Sequence, residues 1–169
     1  MALPSSNTRT LAFDALYRST ADSVYAYAFS LLRDRAGAED ATALAFERAY
    51  RRRGRYDPGK GSERAWLFAI ARNAALDELR RRRRTAALVA DPEDPEAAGA
   101  VADGPEAGER RAVVRDALAA LEPRDRELVA LKFYGGLSNA EIAVLLGVSE
   151  SNAGTRLHRV VAKLREAVN

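Results

Sequence analysis

The segment Leu137–Arg159, LSNAEIAVLLGVSESNAGTRLHR, decides the fold of the C-terminal part of this 169-residue chain. Ser138 followed three residues later by Glu141 is a capping-box pattern, which predicts the start of a short helix. Gly147 then supplies the positive φ of a tight turn, and Ser149 caps a second helix. This order of elements predicts a helix-turn-helix.

The second helix of a helix-turn-helix presents polar side chains to base edges in the major groove of duplex DNA. Here that helix is rich in small polar and basic residues. Its candidate DNA-binding residues are Ser151, Asn152, Thr155, Arg156, His158 and Arg159. The alternative is a plain helical hairpin with a solvated polar face. The specificity of the turn pattern favours DNA binding.

We also expect helices in the rest of the chain outside residues 86–110. Helices at about 111–121 and at Pro123–Phe133 precede the helix-turn-helix, and proline suits the first helical position. In the N-terminal part we predict a short helix that begins near Leu11 and a second helix through Leu32. A third helix, capped by Asp34, runs to about residue 52. No strand-like alternation occurs, so the predicted fold class is all-α.

A long helix is predicted from Ser62, its N-cap, to about Arg84. Apolar residues repeat along it at helical spacing and should form a buried stripe. The stripe consists of Trp66, Leu67, Ile70, Ala71 and Ala74.

Residues 86–110 differ in composition from both flanking parts. They carry seven acids against one arginine, hold three of the six prolines, and contain almost no large apolar residue. Such a segment cannot bury enough apolar surface to offset its ordering entropy. We therefore predict an N-terminal domain over 1–85, an acidic linker over 86–110 and a C-terminal domain over 111–169.

The composition excludes several classes of function. The chain has no cysteine and one histidine, so disulfides, thiol nucleophiles and histidine-rich metal sites are excluded, and we expect no metal and no cofactor. Neither a phosphate-cradling glycine loop nor a nucleophile elbow is present, so we expect no enzyme. The absence of a long apolar run and of a signal peptide predicts a cytoplasmic protein without a membrane span.

Five consecutive arginines, Arg80–Arg84, end the long helix, and Arg72 and Asn73 precede them on it. A charge run is usually a solvated surface, and cations also suit a helix C-terminus. A helix with this pattern would also neutralise phosphates. Four nearby aromatic residues are candidates for stacking on unpaired bases, as in proteins that bind single strands. These are Tyr50, Tyr56, Trp66 and Phe68, although core packing is the better interpretation for Trp66.

Three segments resemble one known family, the extracytoplasmic-function (ECF) RNA polymerase sigma factors. Trp66–Arg84, WLFAIARNAALDELRRRRR, resembles their regions 2.3 and 2.4. Leu121–Ser149, LEPRDRELVALKFYGGLSNAEIAVLLGVS, is similar to region 4, and Ala38–Tyr50, AEDATALAFERAY, is similar to region 2.2. The resemblance covers most of the chain outside the linker, with the three motifs in family order.

The resemblance implies a promoter-specificity subunit with no catalytic activity of its own. Its partners would be core RNA polymerase, through the β′ clamp helices and the β flap, promoter DNA, and an anti-sigma factor as a further candidate. The first domain would open the −10 element, with the loop Gly54–Ser62 holding a flipped base. The implied −10 residues are Arg72, Asn73, Arg80, Arg81 and Arg83, and the implied polymerase-binding residues are Glu39, Asp40 and Glu47. The helix after Ser149 would bind the −35 element.

Two positions depart from the family pattern. Ala43 and Leu44 stand where region 2.2 usually carries acidic and amide side chains, so polymerase binding would depend on the neighbouring acids. Ala153 and Gly154 stand where a valine and a cation are common, so the −35 sequence need not be typical of the family. A stand-alone helix-turn-helix regulator is the alternative function, although it would not need the Trp66–Arg84 segment.

Overall fold

The computed structural model describes the backbone of residues 6–88 and 105–169, and the side chains of residues 12–86 and 108–169. Two short 3-10 turns, Arg53–Arg55 and Pro58–Lys60, connect the second and third α-helices. Within the described ranges no strand occurs, and the all-α prediction is confirmed. The α-helices are α1 Ser6–Leu32, α2 Arg35–Arg51, α3 Glu63–Leu88, α4 Pro105–Ala119, α5 Pro123–Phe133, α6 Asn139–Leu146 and α7 Glu150–Val168.

The first helix differs from the prediction, because α1 is one continuous helix rather than two. The polar residues at its middle do not interrupt it. The hydroxyls of Ser19 and Thr20 both donate to the carbonyl oxygen of Leu16 in the preceding turn. Their hydrogen-bonding needs are therefore met inside the helix, and no glycine or proline lies between residues 6 and 32 to break it.

Two helices also extend further than predicted, toward the predicted linker. Helix α3 continues to Leu88 instead of ending near residue 84, because no glycine or proline occurs before Pro92. Helix α4 begins at Pro105, six residues before the predicted start, since proline needs no hydrogen-bond partner at the first helical position. Residues 89–104 of the predicted linker lie outside the described part of the chain.

Helices α1, α2 and α3 contact one another in all three pairings. Apolar faces account for this bundle: Val24 and Tyr27 of α1 are buried together with Phe46 of α2 and Leu67 of α3. Alanines along α2 and α3 let the helices approach closely, and Ala45, Ala49, Ala71 and Ala74 are all buried. Of the predicted stripe on α3, only Trp66 is half-exposed.

Helix α7 packs against α4, α5 and α6 in the C-terminal part. It contributes Ala153, Leu157 and Val160 to the core, which meet Leu131 of α5 and Ile142 of α6. The guanidinium of Arg126 at the start of α5 donates to the carbonyl oxygens of Leu118, Ala119 and Leu121. It thereby satisfies carbonyl groups that the end of α4 leaves without helical partners.

The two parts of the chain pack against each other. Helix α5 contacts α1, and α6 contacts α3, so that the main cluster of buried residues includes members of both parts. This contact places Arg72 of α3 beside Glu127 of α5.

Candidate nucleic-acid interface

Helix α7 begins at a capped turn, as the sequence predicts. Gly147 has a φ of 68°, in the left-handed region, and the Ser149 hydroxyl accepts a 3.1 Å hydrogen bond from the Asn152 backbone N–H. The capping box at α6 is complete as well, because Ser138 and Glu141 each accept the other's backbone N–H. Val148, half-buried between the helices, packs on the core. The helix-turn-helix geometry follows from these local interactions.

The outer face of α7 is polar and open. Of the six residues predicted from the sequence, five are exposed: Ser151, Asn152, Thr155, His158 and Arg159. The sixth, Arg156, is half-buried, because its guanidinium donates to the Asp125 carboxylate at 3.0 Å. That ion pair fixes α7 against the start of α5, so Arg156 positions the helix rather than standing free.

Gly154 lies at the flank of α7, beside the first turn of α6. A Cβ at Gly154 would stand 3.5 Å from the Asn139 side-chain nitrogen, an ordinary van der Waals distance. The Asn139 oxygen in turn accepts a hydrogen bond from the Lys132 ammonium at 3.1 Å. A Cβ therefore fits at Gly154 without displacing backbone.

The arginines at the end of α3 are held by acids to different degrees. Arg80 pairs with Asp77 and Arg81 with Glu78, and both arginines are exposed. Arg82 is half-buried and binds Glu78 and Asp34. Among the described residues, Arg83 and Arg84 have no acidic partner.

Arg82 connects α3 to the start of α2. The Asp34 carboxylate caps α2 by accepting the Gly37 backbone N–H at 2.7 Å, and it also binds the Arg82 guanidinium. The hydrogen bond from Arg82, followed by that from Gly37, lowers the pKa of Asp34. A Cβ at Gly37 would overlap the Arg82 guanidinium, so a larger residue there would force the arginine side chain to shift. This arginine of the run is therefore structural.

Arg72 and Asn73 lie at different depths on α3. Asn73 is exposed, whereas the Arg72 side chain is 27% exposed and its Nε donates to the Glu127 carboxylate of α5 at 2.6 Å. The structure thus places Arg72 at the contact between the two parts of the chain. No local pattern in the sequence indicates this partner, because Glu127 directly follows Asp125 and Arg126 as one more charged residue at the start of α5.

The loop before α3 is held by hydrogen bonds between its own residues. Asp57 accepts the Gly59 backbone N–H at 2.9 Å, and the Tyr56 hydroxyl donates to the Gly61 carbonyl at 3.0 Å. Tyr56 also packs on Trp66, with ring centroids 5.6 Å apart. Beside this pair is a cavity of about 230 Å³. Its lining includes Phe13, Arg53, Gly54, Tyr56, Glu63 and Trp66.

The four aromatic candidates for base stacking differ in how deeply they are buried. Phe68 is 0% exposed and packs edge-on against Tyr27, so the prediction that it could stack on bases is wrong. Tyr50 is exposed, and the Arg53 guanidinium lies over its ring at 3.9 Å. Tyr56 and Trp66 are half-buried at the cavity. Of the four, these two are the ones placed at a cavity.

The acids predicted to bind polymerase share one face of α2. Glu39, Asp40 and Glu47 are all exposed, and residue 43 lies between them at helical spacing. Glu39 pairs with Arg35 and Glu47 with Arg51 through exposed i,i+4 ion pairs. Such pairs contribute little and separate readily, so the carboxylates stay available to a partner.

No cluster of three or more histidines, cysteines, aspartates or glutamates suited to a metal ion occurs among the described residues. Over the same residues, no helix is both long and apolar enough to cross a membrane.

Comparison with known proteins identifies the family. The family models for Sigma-70 region 2 and Sigma-70, region 4 match residues 16–85 and 111–164. The chain is 38% identical over 155 residues to the RNA polymerase sigma factor CarQ of Myxococcus xanthus, covering 92% of this chain and 88% of CarQ. It is 31% identical over 165 residues to the ECF RNA polymerase sigma factor SigK of Mycobacterium tuberculosis, covering 94% and 86%.

Solved structures agree on the fold. The sigma factor RpoE, in its co-crystal structure with the anti-sigma factor NepR from Bartonella quintana, matches with a TM-score of 0.74 at 23% identity, covering 93% of this chain and 96% of RpoE. CnrH, in complex with the cytosolic domain of CnrY, matches with a TM-score of 0.65 at 25% identity, covering 93% and 87%.

The chain therefore belongs to the sigma-70 family and, within it, to the ECF sigma factors. It directs promoter-specific transcription initiation, with core RNA polymerase and promoter DNA as its partners. The alternative of a stand-alone regulator is not favoured, since the region 2 match lies in the part that such a regulator would not need.

Proposed function

We propose that this sigma factor contacts the promoter through two separate surfaces. The first is the −35 surface, the outer face of α7 with Ser151, Asn152, Thr155, His158 and Arg159. The observation that carries the proposal is this polar face, exposed on a helix whose start is fixed by Gly147 and Ser149. Rigid presentation of polar groups is what base readout in the major groove requires.

The second is the −10 surface, formed by the outer face of α3 and the loop before it. Asn73, Arg80, Arg81 and Arg83 are exposed on α3 and would contact the opened strand. The cavity beside Tyr56 and Trp66 has three aromatic rings and an arginine in its lining, which suits a base turned out of the helix. Arg72 would join this surface only after leaving Glu127.

Helix α2 would bind core polymerase through Glu39, Asp40 and Glu47. A charged partner would replace Arg35 and Arg51 at these carboxylates without uncovering any buried group. Ala43 lies on the same exposed face and adds no polar contact, so binding would depend on the three acids.

The remaining assignments follow from this role. The chain acts by binding and performs no catalysis itself, and it works in the cytoplasm, where bacterial RNA polymerase is located. The N-terminal domain ends near residue 85 and the C-terminal domain starts near residue 111, with the linker between them. An anti-sigma factor is a candidate partner, since the related RpoE and CnrH structures contain NepR and CnrY.

The test is transcription in vitro with purified core polymerase on a library of promoters. The wild-type chain should co-purify with core and select promoters that share a −10 and a −35 sequence. Asp40→Asn together with Glu47→Gln should weaken core binding, whereas the control Asp22→Asn, an exposed acid on α1, should not. A chain that neither binds core nor selects promoters would refute the proposal.

A further inference from the structure

Glu78 is a largely buried carboxylate on α3 that binds two arginines of the run Arg80–Arg84. Its side chain is 11% exposed. Arg81 donates to it through Nε at 3.1 Å and through Nη2 at 2.7 Å, and Arg82 donates through Nε at 3.2 Å. Glu78 is not part of the proposed −10 surface, although Arg81 is. Its connection to that surface therefore runs through this arginine.

Helix α2 fixes the position of Glu78 through Arg82. The half-buried Arg82 side chain donates through Nη2 to the Asp34 carboxylate at the N-cap of α2, while its Nε donates to Glu78. Asp34 is itself held, because it accepts the Gly37 backbone N–H. The Arg82 guanidinium lies in the space that a Cβ at Gly37 would fill, so it packs closely on the first turn of α2. Glu78 is thus attached to two helices and not only to its own.

The pair of Glu78 with Arg81 differs from the neighbouring pair of Asp77 with Arg80. Arg80 reaches Asp77 through a single hydrogen bond of 3.3 Å, and the Asp77 side chain is 45% exposed. Arg81 instead presents two N–H groups to the two oxygens of Glu78, which is the bidentate geometry that fixes the plane of a guanidinium. The hydrogen bond from Arg81 lowers the pKa of Glu78 in spite of its burial, so the carboxylate stays charged at pH 7.

Arg81 is held at one edge of its guanidinium and exposed at the other. Its side chain is 61% exposed, and Nη1 makes no hydrogen bond to any residue that the structure describes. An arginine that is already held in place loses less conformational entropy when it binds a ligand, and its planar fork matches only certain acceptor positions. We propose that Glu78 is a positioning residue, which orients Arg81 so that the Nη1 edge meets an acceptor of the −10 strand. This inference rests on the proposed assignment of Arg81 to the −10 surface.

The alternative role for Glu78 is to mask charge. A carboxylate beside Arg81 lowers the positive potential that attracts DNA of any sequence. Masking predicts that loss of the carboxylate raises the affinity for all DNA equally and leaves sequence preference unchanged. Positioning predicts that sequence preference falls. The anchor to α2 favours positioning, because a masking acid needs no attachment to a second helix.

The experiment measures sequence preference with holoenzyme assembled from the full-length chain and core polymerase. The probes are two fork-junction DNAs, one with the −10 sequence that the promoter library selects and one with that sequence permuted. The ratio of their dissociation constants is the preference. Glu78→Gln keeps the size of the side chain and removes its charge. It should lower the preference about fivefold, the effect of one lost hydrogen bond, without weakening core binding or binding of the permuted probe.

Asp77→Asn is the matched control. It removes the same charge from the neighbouring position and also weakens a contact between α2 and α3, because Asp77 accepts a 3.0 Å hydrogen bond from Arg48 of α2. Its bond to Arg80 is single and exposed, so the preference should not change. Equal losses of preference in Asp77→Asn and Glu78→Gln would overturn the inference.

Glu78→Asp separates geometry from charge. It keeps the carboxylate but shortens the side chain, so both hydrogen bonds to Arg81 can no longer form with their present geometry. The preference should fall although the net charge is unchanged. If Glu78→Gln does not fold, Glu78→Asp decides the inference.

A double variant separates positioning from a merely structural role. Glu78→Gln combined with Arg81→Ala should lose no more preference than Arg81→Ala alone, because Glu78 acts through Arg81. A structural Glu78 would instead add its loss in both backgrounds. Additive losses would therefore refute positioning.

The inference and the proposed function fail in different ways. If Arg81→Ala lowers the preference but Glu78→Gln and Glu78→Asp leave it unchanged, positioning is refuted and the proposed −10 surface stands. If Arg81→Ala itself leaves the preference unchanged, Arg81 lies outside the −10 surface and the inference falls with that assignment.

Discussion

Helices α3 and α7 both carry basic residues that we propose contact DNA, but these residues have different surroundings. On α7, Asn152, Thr155 and Arg159 are exposed, and the one arginine with an ion pair, Arg156, is turned toward Asp125. On α3, four of the seven arginines meet a carboxylate: Arg72, Arg80, Arg81 and Arg82. The polar side chains of the −35 surface are therefore exposed in this structure, whereas Arg80 and Arg81 of the −10 surface are bound to carboxylates.

The difference shows that a run of charges in a sequence does not measure the charge offered to a partner. Arg82 belongs to the same run as Arg83, yet Arg82 connects α3 to the start of α2 by binding Asp34, while Arg83 is exposed to solvent. A more exposed pair such as Arg80 with Asp77 separates at little cost, whereas the buried pair of Arg72 with Glu127 does not. Each arginine has to be assigned separately.

The largest effect is expected on α7, where nothing competes with DNA. Arg159→Ala should weaken binding of the −35 element by about 1–3 kcal/mol if Arg159 contacts a base, and by less if it contacts a phosphate. Competition between −35 duplexes of varied sequence measures this. Arg165→Ala, an exposed arginine nearer the end of the same helix, is the control. Equal losses for both variants would show that α7 supplies only general charge.

A smaller effect is expected on α3, because Arg80 and Arg81 already pair with carboxylates. If each lost contact contributes about 1 kcal/mol, Asn73→Ala should reduce open-complex formation about fivefold, and the pair Arg80→Ala with Arg81→Ala about thirtyfold at most. Permanganate footprints of the melted region measure opening, and core binding should not change. Unchanged footprints in both variants would remove the outer face of α3 from the −10 surface.

The third prediction separates the structural arginine from the others. Asp34→Ala removes both the cap of α2 and the partner of Arg82, and should lower the free energy of unfolding by about 1–2 kcal/mol at pH 7. The pKa of Asp34 is lowered in the fold, so its contribution is present above the unfolded pKa of about 4 and is lost as pH falls through the folded pKa. Thermal melts from pH 7 to pH 3 should therefore show the two proteins converging, with Asp22→Ala as control.

The smallest effect is expected at Gly154. Gly154→Ala should stabilise the chain by up to about 1 kcal/mol, because glycine inside a helix is unfavourable and the new Cβ meets only Asn139 at contact distance. Gly154→Arg should also tighten promoter binding by adding a cation beside the −35 surface. If Gly154→Arg stabilised the helix no less than Gly154→Ala yet left binding and sequence preference unchanged, residue 154 would lie outside the DNA contact.

The secondary-structure elements that depend on local interactions could be predicted from the sequence alone. The cap at Ser149, the capping box from Ser138 to Glu141 and the left-handed Gly147 each depend on residues at most three positions apart. For that reason the bounds of α5, α6 and α7 could be predicted nearly residue by residue, and the exposed face of α7 with them. The same locality identified Asp34 and Ser62 as caps.

Which charged side chains form ion pairs depends on the tertiary structure. Arg72 and Glu127 are 55 residues apart, and Asp34 and Arg82 are 48 apart, so no local pattern connects them. Phe68 resembles its less buried aromatic neighbours in sequence but lies in the core, because the packing of α1 on α3 turns that face inward. Pairing and burial are properties of helices brought together, and a helical period alone does not specify which helix will cover which side.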